Sequence, residues 1–281
     1  MSKTVFITGT SSGLGKLTAI RFAQMGWNVA ATMRTPEKET ELTSYDNIKI
    51  FKLDVTKVDQ IQTAVEQAIA AFGKIDVVIN NAGIGTYGPL ELATEDAIDW
   101  QFAVNTRGPI NIIRKFLPHY RVNGGGMFIN ISSFMGITTA VPLGSLYNMS
   151  KFALEGLTEG LYYELRPFNI ELRLIEQGGS SGNHFMKNII WGKDENIKDY
   201  DDMMMKLQQF MESAETSGSL DDPQTIVDAI VAQATGESKE FRTVVGAAGN
   251  QLVALRNSMP IEEYLETMAK NLDLDQEEFI R

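Results

Sequence analysis

Short apolar, β-branched runs recur along the chain, separated by longer stretches whose apolar residues return at helical spacing. The runs are TVFIT (4–8), NVAATM (28–33), IKIFKL (48–53), DVVIN (76–80), MFINIS (127–132), IELRLIE (170–176) and, late in the chain, RTVVG (242–246). This alternation predicts right-handed βαβ units and a parallel sheet covered on both faces, a doubly wound α/β architecture. No repeat, low-complexity tract or Pro/Gly/Ser linker divides the chain, so one domain over 1–281 is expected. Two regions break the rhythm: a methionine-bearing insertion over 178–222 and a tail over 247–281 that reads as a helical extension. Ligands of open α/β sheets bind beyond the carboxyl ends of the strands, so the insertion after the sixth run is well placed to act as a lid over a site.

Composition narrows the function. A chain of 281 residues suits one large α/β domain better than two, and its 43% hydrophobic content can fill a core. The net charge of -11 argues against a nucleic-acid groove or an anionic membrane surface as partner, since either needs a basic face. The absence of cysteine excludes disulfides, thiolate catalysis and cysteine metal sites, and suits a reducing cytoplasm. The first apolar run is too short for a signal peptide or a membrane span, and a cytoplasmic location is expected. His119 follows Pro118 near a helix end and reads as a surface group, and His184 lies in the insertion. Without clustered ligands no catalytic metal is expected.

The first run ends in TGTSSGLGK, with Gly9, Gly13 and Gly15, and a helical pattern begins at once. Glycines there let the backbone turn tightly and approach a pyrophosphate, whose charge the amides of a helix N-terminus meet. A phosphate-bearing ligand is expected. A P-loop does not fit, because the interval from Gly9 to Gly15 is one residue too long and Leu17 follows Lys16; a merely tight turn is the plainer alternative. Further on, YNMSK places Tyr147 four residues before Lys151 in a helical run, on one face. Tyr45 and Lys49 share that spacing by chance, in a polar turn running into a strand.

The motifs TGTSSGLG (8–15), NNAG (80–83), NISS (130–133) and YNMSK (147–151), in this order, resemble the short-chain dehydrogenase/reductase family from near Lys3 to near Asn250. The resemblance implies a Rossmann fold with a seven-stranded parallel sheet and with cofactor and substrate sites in one domain. It implies that Gly9, Ser11, Ser12, Gly13, Leu14, Gly15, Asp54, Val55, Asn81, Ala82, Gly83, Asn105, Tyr147, Lys151, Gly178 and Gly179 line a dinucleotide, with Asn80 supporting the fourth strand. By the same resemblance Tyr147 exchanges a proton with the substrate oxygen, Ser133 hydrogen-bonds that oxygen, and Asn105 holds a water linking the lysine to solvent. Lys151 would serve twice, orienting the nicotinamide ribose and lowering the pKa of the phenol as a nearby cation. Asp54 admits a plainer role as a helix N-cap, and Asn105 as a residue satisfying helix backbone.

Cofactor choice follows from the end of the second strand. Met33 stands where an acid would bond the ribose 2′-hydroxyl, and Arg34 follows with a planar fork suited to a 2′-phosphate, so NADP(H) is expected. The alternative for Arg34 is a solvated loop charge, and Glu37 and Glu39 leave room for dual use. Two departures from the family pattern stand out. Ser133 lies one position further from Tyr147 than is usual, making Ser132 the competing candidate. After the sixth strand, QGGSSG has Gln177 in place of proline, and the threonine register falls near Ser181 or Gly182, which makes this segment flexible.

Phe185, Ile189, Ile190 and Trp191, then Met204, Leu207 and Met211 at helical spacing, read either as a core-packing amphipathic segment or as an adaptable pocket lining. Joined by Ile84, Tyr87, Phe134, Met135 and Leu143, such a lining favours a bulky apolar ketone over a sugar. The tail resembles C-terminal extensions of hydroxysteroid-type and related bacterial reductases, and would cap the pocket or a subunit interface. The expectation is an NADPH-dependent carbonyl reductase, or alcohol dehydrogenase in reverse, forming a homodimer or homotetramer. A silent dinucleotide-sensing regulator and a sugar or polyol dehydrogenase are the competing readings.

Overall fold

The computed structural model describes residues 2–181, 185–216 and 220–272. In chain order the elements are β1 (Thr4–Thr8), α1 (Gly13–Gln24), β2 (Asn28–Met33), β3 (Ile48–Lys52), α2 (Val58–Phe72), β4 (Val77–Asn80), β5 (Thr86–Tyr87), α3 (Glu95–Phe102), α4 (Gly108–Val122), β6 (Gly126–Ser133), α5 (Ser145–Leu165), β7 (Ile170–Gln177), β8 (Ile190–Trp191), α6 (Asp201–Thr216), α7 (Pro223–Thr235), β9 (Arg242–Val245), α8 (Ala247–Asn257) and α9 (Ile261–Asn271). Seven strands form one parallel sheet in the order β3-β2-β1-β4-β6-β7-β9. Each of the seven apolar runs is one of its strands. The order reverses between β1 and β4, which opens a crevice at their carboxyl ends.

Strand alternation divides the core into two layers. Val5, Ile7, Val29, Ala31, Ile79 and Ile129 face Ala19 and Phe22 of α1 and Ile226 and Ile230 of α7. Their neighbours Phe6, Ala30, Val78 and Phe128 face Ile61 and Val65 of α2 and Ile112 and Phe116 of α4. Both faces of the central strands β1, β2, β4 and β6 are covered, so these are buried at nearly every position, and each fully buried Ile, Val or Phe contributes about 1.5–3 kcal/mol relative to exposure.

A π-helical turn over Ala103–Arg107 joins α3 to α4. Pro109, four residues after Asn105, has no N–H to return to the Asn105 carbonyl, so regular α-helical pairing fails there. The short ladder of β5 with β8 pairs Thr86 with Ile190 and Tyr87 with Trp191. Strands of two residues leave no periodic trace in a sequence, and this ladder was not expected. The ends of the insertion also meet: Gly179 O accepts from Asp221 N at 3.0 Å, and Ser181 N donates to Asp221 O at 3.1 Å. The tail forms α8 and α9, whose Tyr264 and Met268 pack with Phe134, Ala140 and Leu252.

Candidate active site

At the crevice the glycines do what only glycine can. Gly9 and Gly13 hold φ of +72° and +54°, and a Cβ on Gly15 would collide with Gly9 O and Asn81 Nδ2. Asn81 Nδ2 donates to Thr8 O at 2.8 Å and Gly9 O at 3.1 Å, and Thr8 Oγ1 accepts from Asn81 N and Ala82 N, both at 3.0 Å. The 80–83 loop is thereby stitched to the glycine loop. Ser12 makes no side-chain cap to α1, and no acid stands in the first turn. The helix end is left with unpaired amides and uncompensated positive potential, and this cradle fits a pyrophosphate.

At the far end of the crevice Met33 is buried and Arg34 is exposed. Glu39 is engaged elsewhere: its Oε1 accepts from Lys16 Nζ, Glu41 N and Leu42 N. Asp54 Oδ1 accepts from Thr56 N at 2.9 Å and Thr56 Oγ1 at 2.7 Å. It does not cap α2, contrary to the plainer expectation, because that helix begins at Val58 after Lys57, beyond the turn that Asp54 closes. Val55 is buried against Gly108, where an added Cβ would stand 3.2 Å from it.

Tyr147 and Lys151 lie in the first turns of α5, each 5% exposed. Ser133, at the end of β6, lies near the phenol, where its hydroxyl favours the ionised form. Ser132 is turned away, its Oγ lying beside Gly136 and Glu155. Lys151 Nζ donates to Ile131 O at 2.8 Å and sits 5.7 Å from the centroid of the Tyr147 ring. Asn105 Oδ1 accepts from Ile84 N and its Nδ2 donates to Ile84 O, both at 2.9 Å. A Cβ on Gly83 would lie 3.6 Å from Asn105 Oδ1 and 3.8 Å from Lys151 Nζ, so all four expected residues border one site. Two members were missed. Gln101 and Asn105 both donate to Ser150 Oγ, which donates to Tyr147 O at 2.8 Å. Ser150 is the serine inside YNMSK, and its place before the lysine was the available signal.

The comparisons with known proteins agree with this arrangement. Residues 3–191 match the family model described as short chain dehydrogenase. The chain belongs to the short-chain dehydrogenase family. It is 35% identical to 3-ketodihydrosphingosine reductase of Bacteroides thetaiotaomicron, over 90% of this chain and 91% of that protein. It is 34% identical to human 17-beta-hydroxysteroid dehydrogenase type 1, over 72% of this chain and 64% of that one. A solved short-chain dehydrogenase from Streptomyces avermitilis superposes with a TM-score of 0.81 at 28% identity, covering 98% of this chain and all of that one. The protein is therefore an oxidoreductase of this family, for which an NAD(P) dinucleotide is the cofactor. Among the described residues no helix is long and apolar enough to cross a membrane.

In this short-chain dehydrogenase the phenol is roofed by aromatic and aliphatic side chains. Tyr87 stacks on Tyr147 with centroids 5.7 Å apart, Phe185 meets it at 5.5 Å, and Trp191 meets Tyr87 at 6.2 Å. Tyr87 Oη donates to Met135 Sδ at 3.4 Å. Leu207 and Met211 of α6 join Phe134 and Leu143 in the same cluster. Ile84 does not: it packs with the core layer that holds α2 and α4. The longer serine-to-tyrosine loop contains Leu143 at φ +56°, a left-handed conformation costing about 1–2 kcal/mol for a residue with Cβ.

Two further expectations are corrected. The cation does not lower the phenol in the protein alone: burial pushes Tyr147 up to about 12, against the nearby Ser133 hydroxyl. Burial also pulls Lys151 down to about 8. Desolvation penalises whichever form is charged, and for both groups it is the largest cause. His119 is no free surface group: Nε2 accepts from Ile75 N at 3.1 Å, and burial, then Lys74, hold its pKa below the usual value. Gly178 donates its N–H to Val245 O, and a Cβ there would stand 2.9 Å from Asp221 Oδ2, so the segment after β7 leans on the 221 turn. His184 and Gly182 lie outside the described residues.

Proposed function

We propose that this short-chain dehydrogenase is an NADPH-dependent carbonyl reductase acting on a bulky apolar ketone, and on the matching secondary alcohol in reverse. The observation that carries the reading is one buried phenol, with the Ser133 hydroxyl near it and aromatic and aliphatic side chains packed around it. A carbonyl in such a site finds two hydroxyls and little else polar, which suits an apolar ketone and leaves the hydroxyls of a sugar unsatisfied. The names of two relatives, a 3-ketodihydrosphingosine reductase and a hydroxysteroid dehydrogenase, point the same way.

The glycine cradle and the 80–83 loop would hold NADPH, whose nicotinamide would supply the hydride when bound. Ser133 orients the carbonyl oxygen and stabilises charge developing on it, while Tyr147 Oη gives that oxygen its proton. The Lys151 ammonium lies beside the phenol and stabilises the phenolate left behind. Asn105 fixes Ile84 from the π-helical turn, and with Gln101 it holds Ser150 under the Tyr147 carbonyl, which keeps the base of the acid rigid. The roof of Phe185, Trp191, Leu207 and Met211 excludes water from the reacting carbon.

Arg34 is the basis for choosing NADPH. It is exposed at the end of β2, and Glu39, one of the two nearby acids, is held by Lys16 and two backbone amides. Solved relatives at 25% identity include ElxO with NADP and a 3-ketoacyl-(acyl-carrier-protein) reductase from Brucella melitensis with NADH, so the choice lies in side chains. Aryl, alicyclic and sugar ketones assayed with NADPH and NADH test the whole reading. Apolar ketones should turn over, with NADPH preferred. Arg34→Ala should weaken NADPH by roughly ten- to a hundredfold while sparing NADH, the equivalent of about 1.5–3 kcal/mol for a charge-assisted contact. Equal losses for both cofactors would remove Arg34 from the choice.

The homo-oligomer is inferred from α5, where Met149, Phe152 and Tyr163 are exposed along one stripe. On the same helix, a Cβ added to Gly156 or Gly160 would meet nothing within 4 Å, so a second backbone could approach closely. Phe152→Glu should shift the sedimentation coefficient to that of a monomer. A parent protein that sediments as a monomer at micromolar concentration defeats this inference.

A further inference from the structure

Beyond Tyr147, Ser133 and Asn105, a cluster of buried, incompletely partnered polar groups lies one helical turn past Lys151. Glu155 of α5 and Glu176 of β7 are 3% and 0% exposed. Ser132 is the register partner of Glu176 and lies beside Glu155, on the face opposite Ser133. Arg242 of β9 approaches both acids: its Nε is 3.0 Å from Glu155 Oε2 and 3.0 Å from Glu176 Oε1. That nitrogen carries one hydrogen, which goes to Glu155, while Nη2 is bonded to Glu159. Both Glu176 oxygens, Glu155 Oε1 and Ser132 Oγ are buried without a hydrogen-bond partner.

Two buried carboxylates against one guanidinium, itself divided with Glu159, leave one negative charge too many away from water. Two acids in this position share a proton, since both cannot ionise side by side. Burial, then the neighbouring Glu155 charge, holds Glu176 well above the ordinary carboxylate range, which makes it the proton holder. The charged groups facing the pair are Lys151 and Glu159 of α5 and Arg242 of β9; β6 contributes Ser132 and the following turn Gly136. Glu155 faces Lys151 along the helix, and its charge opposes the burial that pulls the lysine down.

We propose that Glu155 is a positioning residue for the active-site ammonium: with Glu176 it holds one shared proton and one negative charge, and that charge keeps Lys151 protonated in a water-free setting. The proposal rests on the reading of Lys151 given above. It explains why an acid pair is buried one helical turn beyond the active-site lysine. It also predicts an order among variants. In Glu176→Gln the amide still donates to the Glu155 carboxylate, so Lys151 is disturbed least. In Glu155→Gln the remaining Glu176 ionises beside Arg242 and restores part of the field. Only the double substitution removes the charge.

The test compares the three variants with the parent in the full chain. For kcat/KM of ketone reduction, and separately for NADPH affinity by fluorescence titration, the alkaline fall should move to lower pH in the order Glu176→Gln, Glu155→Gln, double variant. The last should move by about one pH unit, close to a tenfold loss above the fall. In cofactor-free protein the sign is fixed by linkage: Glu176 binds its proton more tightly folded than unfolded. Its stabilising contribution is therefore full below the unfolded carboxyl range and is lost as pH rises through the raised value. Thermal unfolding of the parent should show that decline, and Glu176→Gln should lack it, whether or not the double variant folds. Parallel unfolding profiles for parent and Glu176→Gln overturn the shared proton. Unmoved alkaline limbs in Glu155→Gln and the double variant overturn the action on Lys151. A parent that reduces no ketone defeats the proposed function, while the NADPH and unfolding curves still decide this one.

Discussion

Tyr147→Phe is expected to lower kcat for ketone reduction by roughly a hundred- to ten-thousandfold, the range typical of a lost general acid, while NADPH affinity stays close to the parent's. The expectation follows from what the substitution keeps. A phenylalanine ring in the same place would still stack on Tyr87 and meet Phe185, the helix start would be unchanged, and Ser150 would still bond the carbonyl above it. Only Oη and its proton are removed. A buried phenol at about 12 holds that proton firmly at neutral pH, which suits a donor that must not ionise before the substrate arrives. Steady-state kinetics beside fluorescence titration separate the two effects. Turnover within about tenfold of the parent would take Tyr147 out of the mechanism.

Much of this site is readable in the sequence, for identifiable reasons. The central strands are buried on both faces, so they stand out as apolar runs, and the glycine loop and the Tyr147–Lys151 spacing are local patterns. Burial is not local. The pKa directions of Tyr147 and Lys151 depend on side chains brought from β5, β6, the segment around Phe185 and α6, whereas spacing alone suggests only that the two residues act on each other. The same limit explains Glu155 and Glu176, whose burial depends on β7, β9 and α5 closing around them. His119 looked solvated because its partner, the Ile75 amide, lies 44 residues away. The methionine-bearing insertion was ambiguous for a different reason. Helical spacing announces an apolar face but not what it covers, and the structure puts Leu207 and Met211 against Tyr87 and Tyr147.

Ser133→Ala should reduce kcat by about a hundred- to a thousandfold, the loss typical of one donor to a developing oxyanion, with a smaller effect on KM. Ser132→Ala should be far milder. Spacing alone could not choose between these neighbours, since the interval to Tyr147 is one residue longer than the family's usual one. The pleat decides: adjacent strand residues face opposite sides, and Ser133 Oγ meets the phenol while Ser132 Oγ lies beside Glu155 and Gly136. The extra residue is absorbed downstream, in a loop containing the left-handed Leu143, and does not shift the strand. Ser133 also accepts from Met135 N at 3.2 Å, so its replacement frees a buried amide and should lower the melting temperature modestly. Ser132 has no such partner, and its loss removes a buried hydroxyl that nothing satisfies. The two variants should therefore differ in both measurements: Ser133→Ala less active and slightly less stable, Ser132→Ala nearly as active as the parent and no less stable. The reverse order of activities would mean that the longer loop moves the register by one, and that Ser132 turns into the cleft when substrate binds.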